Sequence, residues 1–130
     1  MDDLILEPTK KTPGVDLSNG ILLLHGNSII ANEKDFFGPL FSWVCAYLEH
    51  PMEITTLTLK LKYIDTPSVQ ALLQLMELLK QVEKQGYVFL VNWYYEYGDL
   101  EMLQLGVILL SRLEMEFDFN EFEPKNTGFN

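Results

Sequence analysis

Between Ile54 and Tyr63 apolar and polar side chains alternate, strictly so from Thr56, and from Pro67 onward the apolar residues recur at helical spacing instead. A strand therefore runs straight into a helix, which is the elementary step of an α/β fold. Leu57, Leu59, Leu61 and Tyr63 form one face of the strand, while Thr56, Thr58, Lys60 and Lys62 form the other. A strand apolar on one face only suits a sheet covered mainly on one side, or a position near an edge. The helix, from Pro67 to about Gln85, sets Val69, Leu72, Leu73, Met76, Leu79 and Val82 on one stripe, and Gly86 is its stop signal.

The rest of the chain repeats that alternation. Leu4 to Leu6 forms a short first strand, and Lys10 to Ser18, with Pro13 and Gly14, reads as a turn-rich connection. Ile21 to Leu24 is a strand closed by Gly26-Asn27. Phe37, Leu40, Phe41, Val44 and Leu48 mark the core face of a helix from Glu33 to Glu49, in which Cys45 is expected as a buried small hydrophobe. Tyr87 to Tyr94 is a further strand. Gly98-Asp99 opens a third helix through Leu100, Leu103, Val107 and Leu110, and Phe117 to Phe122 supplies a last strand. The expectation is α/β: a single mixed, largely parallel sheet of about five strands with three main helices, in one domain over residues 1–123, followed by a flexible tail over 124–130. Right-handed crossovers bring the ends of parallel strands to one rim, where sites gather. That rim would collect Asn27, Ser28 and Asn32, then Asp65, Thr66 and Ser68, then Tyr94, Tyr95 and Glu96.

Charge and composition narrow the function. Nineteen acidic residues against nine basic ones give a formal charge of -10, which disfavours a nucleic-acid backbone or an anionic membrane surface and favours basic or mixed protein surfaces. Met1-Asp2-Asp3 lacks the basic start of a signal peptide, and no apolar run approaches the ~20 residues that span a bilayer, so a cytoplasmic location is expected. His25 and His50 have no metal-ligand spacing, glycines form no phosphate loop, and Ser28 beside His25 has neither an orienting acid nor an oxyanion loop. No metal, cofactor or catalytic constellation is expected. The run Trp93-Tyr94-Tyr95-Glu96-Tyr97 is more aromatic than a strand requires and supports an interaction surface as well as core and edge cover.

Two readings of Thr66 stand together. Thr is a favoured N-cap, and Pro67 suits the first helical position. A helix start also tolerates added negative charge, through its free N–H groups and the positive end of the dipole, which makes Thr66 a phosphate acceptor.

Several blocks carry a family resemblance. Gly26-Asn27-Ser28 with Asn32, Phe37-Gly38 to Trp43-Val44, Tyr63-Ile64-Asp65-Thr66 with Ser68 to Leu78-Leu79, and Val91-Asn92-Trp93-Tyr94-Tyr95 together resemble the SiaC family of bacterial regulatory phosphoproteins, from about Thr12 to Phe122. The resemblance implies a small non-catalytic, STAS-like domain phosphorylated at Thr66 by a cognate protein kinase and dephosphorylated by a PP2C-type phosphatase. It further implies that the unphosphorylated form binds a GGDEF diguanylate cyclase and promotes cyclic di-GMP synthesis and biofilm. Around Thr66, the partner-binding residues are expected to be Ser28, Asn32, Asp65, Pro67, Ser68, Tyr94 and Tyr95. Pro67 fixes the backbone after the threonine and removes one donor that could hold a phosphate. Other readings are an anti-sigma-factor-antagonist-like partner switch, an enzyme using rim carboxylates, and a purely structural or oligomerising role.

Overall fold

The computed structural model describes residues 1–31 and 35–124. Asn32 and the tail beyond Pro124 lie outside the described residues. The elements are β1 (Leu4–Leu6), β2 (Gly14–Ser18), β3 (Ile21–Ser28), α1 (Gly38–Tyr47), β4 (Ile54–Ile64), α2 (Thr66–Lys80), β5 (Val88–Glu96), α3 (Leu100–Leu113) and β6 (Asp118–Phe122). A 3-10 turn over Gln81–Gln85 extends α2 and ends at Gly86, whose φ of 84° is open to glycine at little cost. The six strands form one sheet in the order β1-β2-β3-β4-β5-β6. β1, β2 and β3 pair antiparallel, and β3, β4, β5 and β6 pair parallel.

Spatial order equals chain order, so right-handed crossovers lay α1, α2 and α3 on the same face of the sheet. Leu22 and Leu24 of β3, Leu57, Leu59 and Leu61 of β4, and Phe89, Val91 and Trp93 of β5 are buried beneath those helices. From the helices they meet Leu40 and Val44, Leu72, Leu75, Met76 and Leu79, and Met102, Leu109 and Leu113. Among the described residues the opposite face has no helical cover: Ile21, Ile54, Lys60 and Leu90 are exposed there, with Thr56, Thr58, Asn92 and Tyr94 half-buried. The one-sided pattern of β4 is thus explained by a one-sided sheet, in which β4 is nonetheless central.

Five expectations need correction. The segment around Pro13-Gly14 is not only a connection, because Gly14–Ser18 is strand β2 and brings the sheet to six strands. A side chain at Gly14 would collide with the His25 ring on the neighbouring strand, so this glycine marks a close approach between strands as well as a turn. Helix α1 begins at Gly38, later than expected, and Cys45 is exposed because the short helix buries Leu40, Trp43, Val44 and Tyr47 instead. Tyr63 is 62% exposed. The β3/β4 register shifts at Gly26/Asn27, which breaks the alternation just before Tyr63 and turns the ring outward. Finally, the inward stripe of α3 is Met102, Gly106, Leu109 and Leu113, whereas Leu100 and Val107 of the expected stripe are exposed.

Candidate functional site at the start of α2

The parallel strands end on one rim, at Ser28, Ile64, Glu96 and Phe122. One residue separates β4 from α2, and it is Asp65. Its backbone is extended (φ -88°, ψ 170°) and its carboxylate accepts from the Ser68 N–H at 3.0 Å, which makes Asp65 the N-cap. The expected cap role of Thr66 is corrected accordingly: the aspartate one residue earlier fills it, and Thr66 and Pro67 become the first two helical residues. The other carboxylate oxygen of Asp65 accepts from Ala31 N–H at 3.1 Å, and its own N–H donates to the Ser28 carbonyl at 2.9 Å.

Beneath this cap the Ser28 hydroxyl donates to the Ser68 hydroxyl at 2.7 Å, and Ser68 donates in turn to the Ser28 carbonyl at 3.0 Å. Ser28 and Ser68 are 1% and 0% exposed. They clasp the end of β3 to the start of α2, and their side chains are not surface for a partner, which corrects that part of the expectation. Burial pushes the Asp65 carboxyl up, and hydrogen bonding at Ser68 and from the Ile30 and Ala31 N–H groups more than offsets it. Its pKa lies below the ordinary Asp value.

With the cap supplied by Asp65, Thr66 stands exposed on the rim, and its hydroxyl has no hydrogen-bond partner among the described residues. It borders a cleft of about 320 Å³ between the starts of α2 and α3, together with Lys62, Tyr63, Asp99 and Glu101. Val69, Met102 and Leu105 add apolar lining. Asp99 caps α3 by accepting from the Met102 N–H at 3.1 Å. The cleft therefore combines a free hydroxyl, two carboxylates and one lysine at the open ends of two helices.

The two tyrosines expected on the same surface part company. Tyr94 lies on the uncovered face, its ring 6.4 Å from that of Phe122, with Lys60 Nζ 5.7 Å from its centroid and 4.6 Å from that of Phe122. Tyr95 packs against the core on the helical side. Adjacent strand residues point to opposite faces, so the aromatic run cannot form one patch. Tyr63, Asp99 and Glu101 were the residues missed; Asp99 could have been placed by noting that successive crossovers set the starts of α2 and α3 side by side on the rim. Among the described residues no three His, Cys, Asp or Glu side chains are grouped to hold a metal, and no helix is long and apolar enough to cross a membrane.

Comparison with known proteins is consistent across sequence and structure. The profile of the SiaC family of regulatory phosphoproteins matches residues 6–122. An uncharacterised protein of Pseudomonas aeruginosa (strain UCBPP-PA14) is 30% identical over 108 residues, covering 82% of this chain and 86% of that protein. The structure of SiaC of Pseudomonas aeruginosa superposes with a TM-score of 0.79 at 26% identity, covering 95% of this chain and 100% of the other. A chain in the crystal structure of the diguanylate cyclase SiaD in complex with its activator SiaC, from the same species, superposes with a TM-score of 0.83 at 24% identity, covering 92% and 100%.

Proposed function

Since the chain belongs to the SiaC family of regulatory phosphoproteins, we propose that it is a non-catalytic cytoplasmic regulator that binds and activates a GGDEF diguanylate cyclase when Thr66 is unmodified, and releases it when Thr66 is phosphorylated. A cognate kinase adds the phosphate and a PP2C-type phosphatase removes it. The observation that supports this most is the free hydroxyl of Thr66, exposed on the first residue of α2 beside the Asp99 and Glu101 carboxylates.

A phosphate at that point brings about -1.5 to -2 charges. Within the protein the change is mild, because the cap belongs to Asp65 and the dipole of α2 favours the added charge by roughly 0.3 to 1 kcal/mol. At an interface it is severe. A partner that closes over the cleft must desolvate a dianion already next to two carboxylates, at a cost of several kcal/mol, or about a hundredfold or more in affinity. Thr66, Pro67, Asp65 and Tyr63 form the near edge of the contact, with Ser28 and Ser68 holding that edge in place from below.

Three variants test the reading. Thr66→Ala should keep cyclase binding and abolish phosphate incorporation, as read by calorimetry and by mass spectrometry of protein taken from its host. Thr66→Glu should lose at least about tenfold in cyclase affinity, being a weaker mimic than phosphate, with the far-UV CD spectrum and melting unchanged. Asp99→Asn should bind the cyclase with the same or greater affinity in the Thr66→Glu background. Unfolding of Thr66→Glu, or phosphate mapped elsewhere on the rim, would refute the switch as described.

A further inference from the structure

Strands β4 and β5 are neighbours in the sheet, yet their pairing stops short of the rim. β4 pairs with β3 as far as Ile64 and β5 pairs with β6 as far as Glu96, whereas β4 and β5 pair with each other only to Leu59 and Trp93. The sheet therefore splits at the rim, and the Thr66 cleft lies at the split, with the end of β4 on one side and the start of α3 on the other. Lys62 is also the residue that the β3/β4 register skips, since Leu61 stands opposite Gly26 and Tyr63 opposite Asn27. A bulge of this kind re-aims a side chain.

At the bulge, Lys62 borders two cavities: the Thr66 cleft of about 320 Å³, and another of about 280 Å³ that it shares with Glu96, His25, Lys60 and Phe122. Its ammonium stands 3.9 Å from Glu96 Oε1, and its side chain is 60% exposed. That separation is well beyond the roughly 2.7 to 2.9 Å of a charge-assisted hydrogen bond, so the pair is weak and easily exchanged. In the Thr66 cleft Lys62 is the one cation among the described lining residues, and it shares the lining with the Asp99 and Glu101 carboxylates. Asp65, next to Thr66, is already engaged by the Ser68 and Ala31 N–H groups. A phosphate on Thr66 brings about -1.5 to -2 charges and three acceptor oxygens. It therefore competes for the lysine better than one distant carboxylate does, and the flexible four-carbon stem lets Nζ turn from one cavity to the other.

We propose that Lys62 is the internal counter-ion of a phosphate on Thr66: on modification it leaves Glu96 and pairs with the phosphate, which moves a positive charge from the open side of the sheet to the rim. The inference rests on the reading of Thr66 as the phosphate acceptor and adds the residue that holds the phosphate. One lysine offsets only part of the added charge, so with Asp99 and Glu101 the cleft stays anionic and the exclusion of a partner stands.

The test needs no kinase: phosphothreonine is incorporated in place of Thr66 during translation of the full chain, and its second ionisation is followed by phosphorus NMR. Lys62 favours the dianion, so Lys62→Met should raise that pKa by about 0.2 to 0.7, the shift that an exposed ion pair produces. Lys62→Arg should keep it low, and Glu96→Gln should lower it further, but only while Lys62 is present. Lys60→Met removes the same charge two residues earlier on β4, where Nζ lies 4.6 Å from the centroid of the Phe122 ring, and should move the value by less than about half as much. A pKa unchanged in Lys62→Met overturns the proposal. So does a Lys60→Met shift equal to that of Lys62→Met, or a Glu96→Gln shift that persists without Lys62. Protein from the host with no phosphate on Thr66 would instead refute the switch, while the titration still decides the role of Lys62, so the two failures are distinguishable.

Discussion

Helices α2 and α3 cover the same sheet side by side, each begins on an aspartate that accepts from the third N–H of its helix, and each buries a stripe of large aliphatic residues. They differ on the side turned away from the sheet. There α2 shows Gln70, Gln74 and Glu77, whereas α3 shows Leu100, Val107 and Ile108 alongside Gln104 and Ser111. The inner stripes are what the fold requires, and an outer stripe is free to follow function. On this comparison α2 contributes to function through its first turn, where the Thr66 hydroxyl is exposed.

The inner stripes should respond alike, and most strongly. Leu75→Ala in α2 and Leu109→Ala in α3 each remove a fully packed side chain and should cost about 2 to 5 kcal/mol in urea unfolding. One inner position breaks the symmetry. Gly106 of α3 has no counterpart in α2, and a Cβ there would stand 2.7 Å from both Trp93 Nε1 and Phe119 Cε1. The glycine lets α3 approach β5 closely enough for the Trp93 indole to donate to the Met102 carbonyl at 3.0 Å. Gly106→Ala should therefore destabilise by about 1 to 3 kcal/mol, even though alanine is the better helix former. Unchanged stability would mean that α3 sits more loosely than this contact requires.

The caps separate the helices next. Asp99→Ala removes one cap bond and should cost about 1 kcal/mol, while Asp65→Ala also releases the Ala31 N–H and should cost more, toward 2 kcal/mol. Asp65 also brings a pH dependence. Its folded-state pKa is below the ordinary Asp value, so as pH falls the unfolded chain takes up the proton first. The stabilisation is complete above the unfolded pKa of about 3.9 and disappears as pH drops through the lower folded value. Asp65→Asn should flatten the acid side of the stability profile in that window and leave it unchanged at neutral pH apart from a constant offset. A profile parallel to the wild type down to the acid limit would show that the carboxylate is not held by these bonds.

The same two helices show what the sequence discloses and where it misleads. In α2 the aliphatic stripe stands against glutamines and a glutamate, so periodicity finds both the helix and its inner face, and Leu72, Met76, Leu79 and Val82 are indeed buried. In α3 two apolar stripes compete. Periodicity finds the helix but has no means of choosing a face, and it selects Leu100, Leu103, Val107 and Leu110, the outer one. The sheet behaves similarly: β4 declares itself by alternation until the register shift beside Asn27, a tertiary feature, turns Tyr63 outward. Strand β2 was hidden because Pro13-Gly14 carries turn chemistry whether or not a strand follows it. At the site, the strand-to-helix joint and its hydroxyls were legible, but which hydroxyl is free depends on hydrogen bonds between residues 40 apart in sequence, as between Ser28 and Ser68.

The smallest expected effect on the protomer bears most directly on the comparison. Gln74→Leu on α2 and Val107→Gln on α3 both exchange polar for apolar character at exposed helical positions, in opposite directions, and neither disturbs the core. Each should change the stability of a dilute protomer by no more than about 0.5 kcal/mol, the usual range for surface substitutions. If instead Val107→Gln were destabilised in dilute solution by as much as an inner-stripe variant, the outer face of α3 would be packed within the protomer, and the difference between the two helices would be one of burial alone.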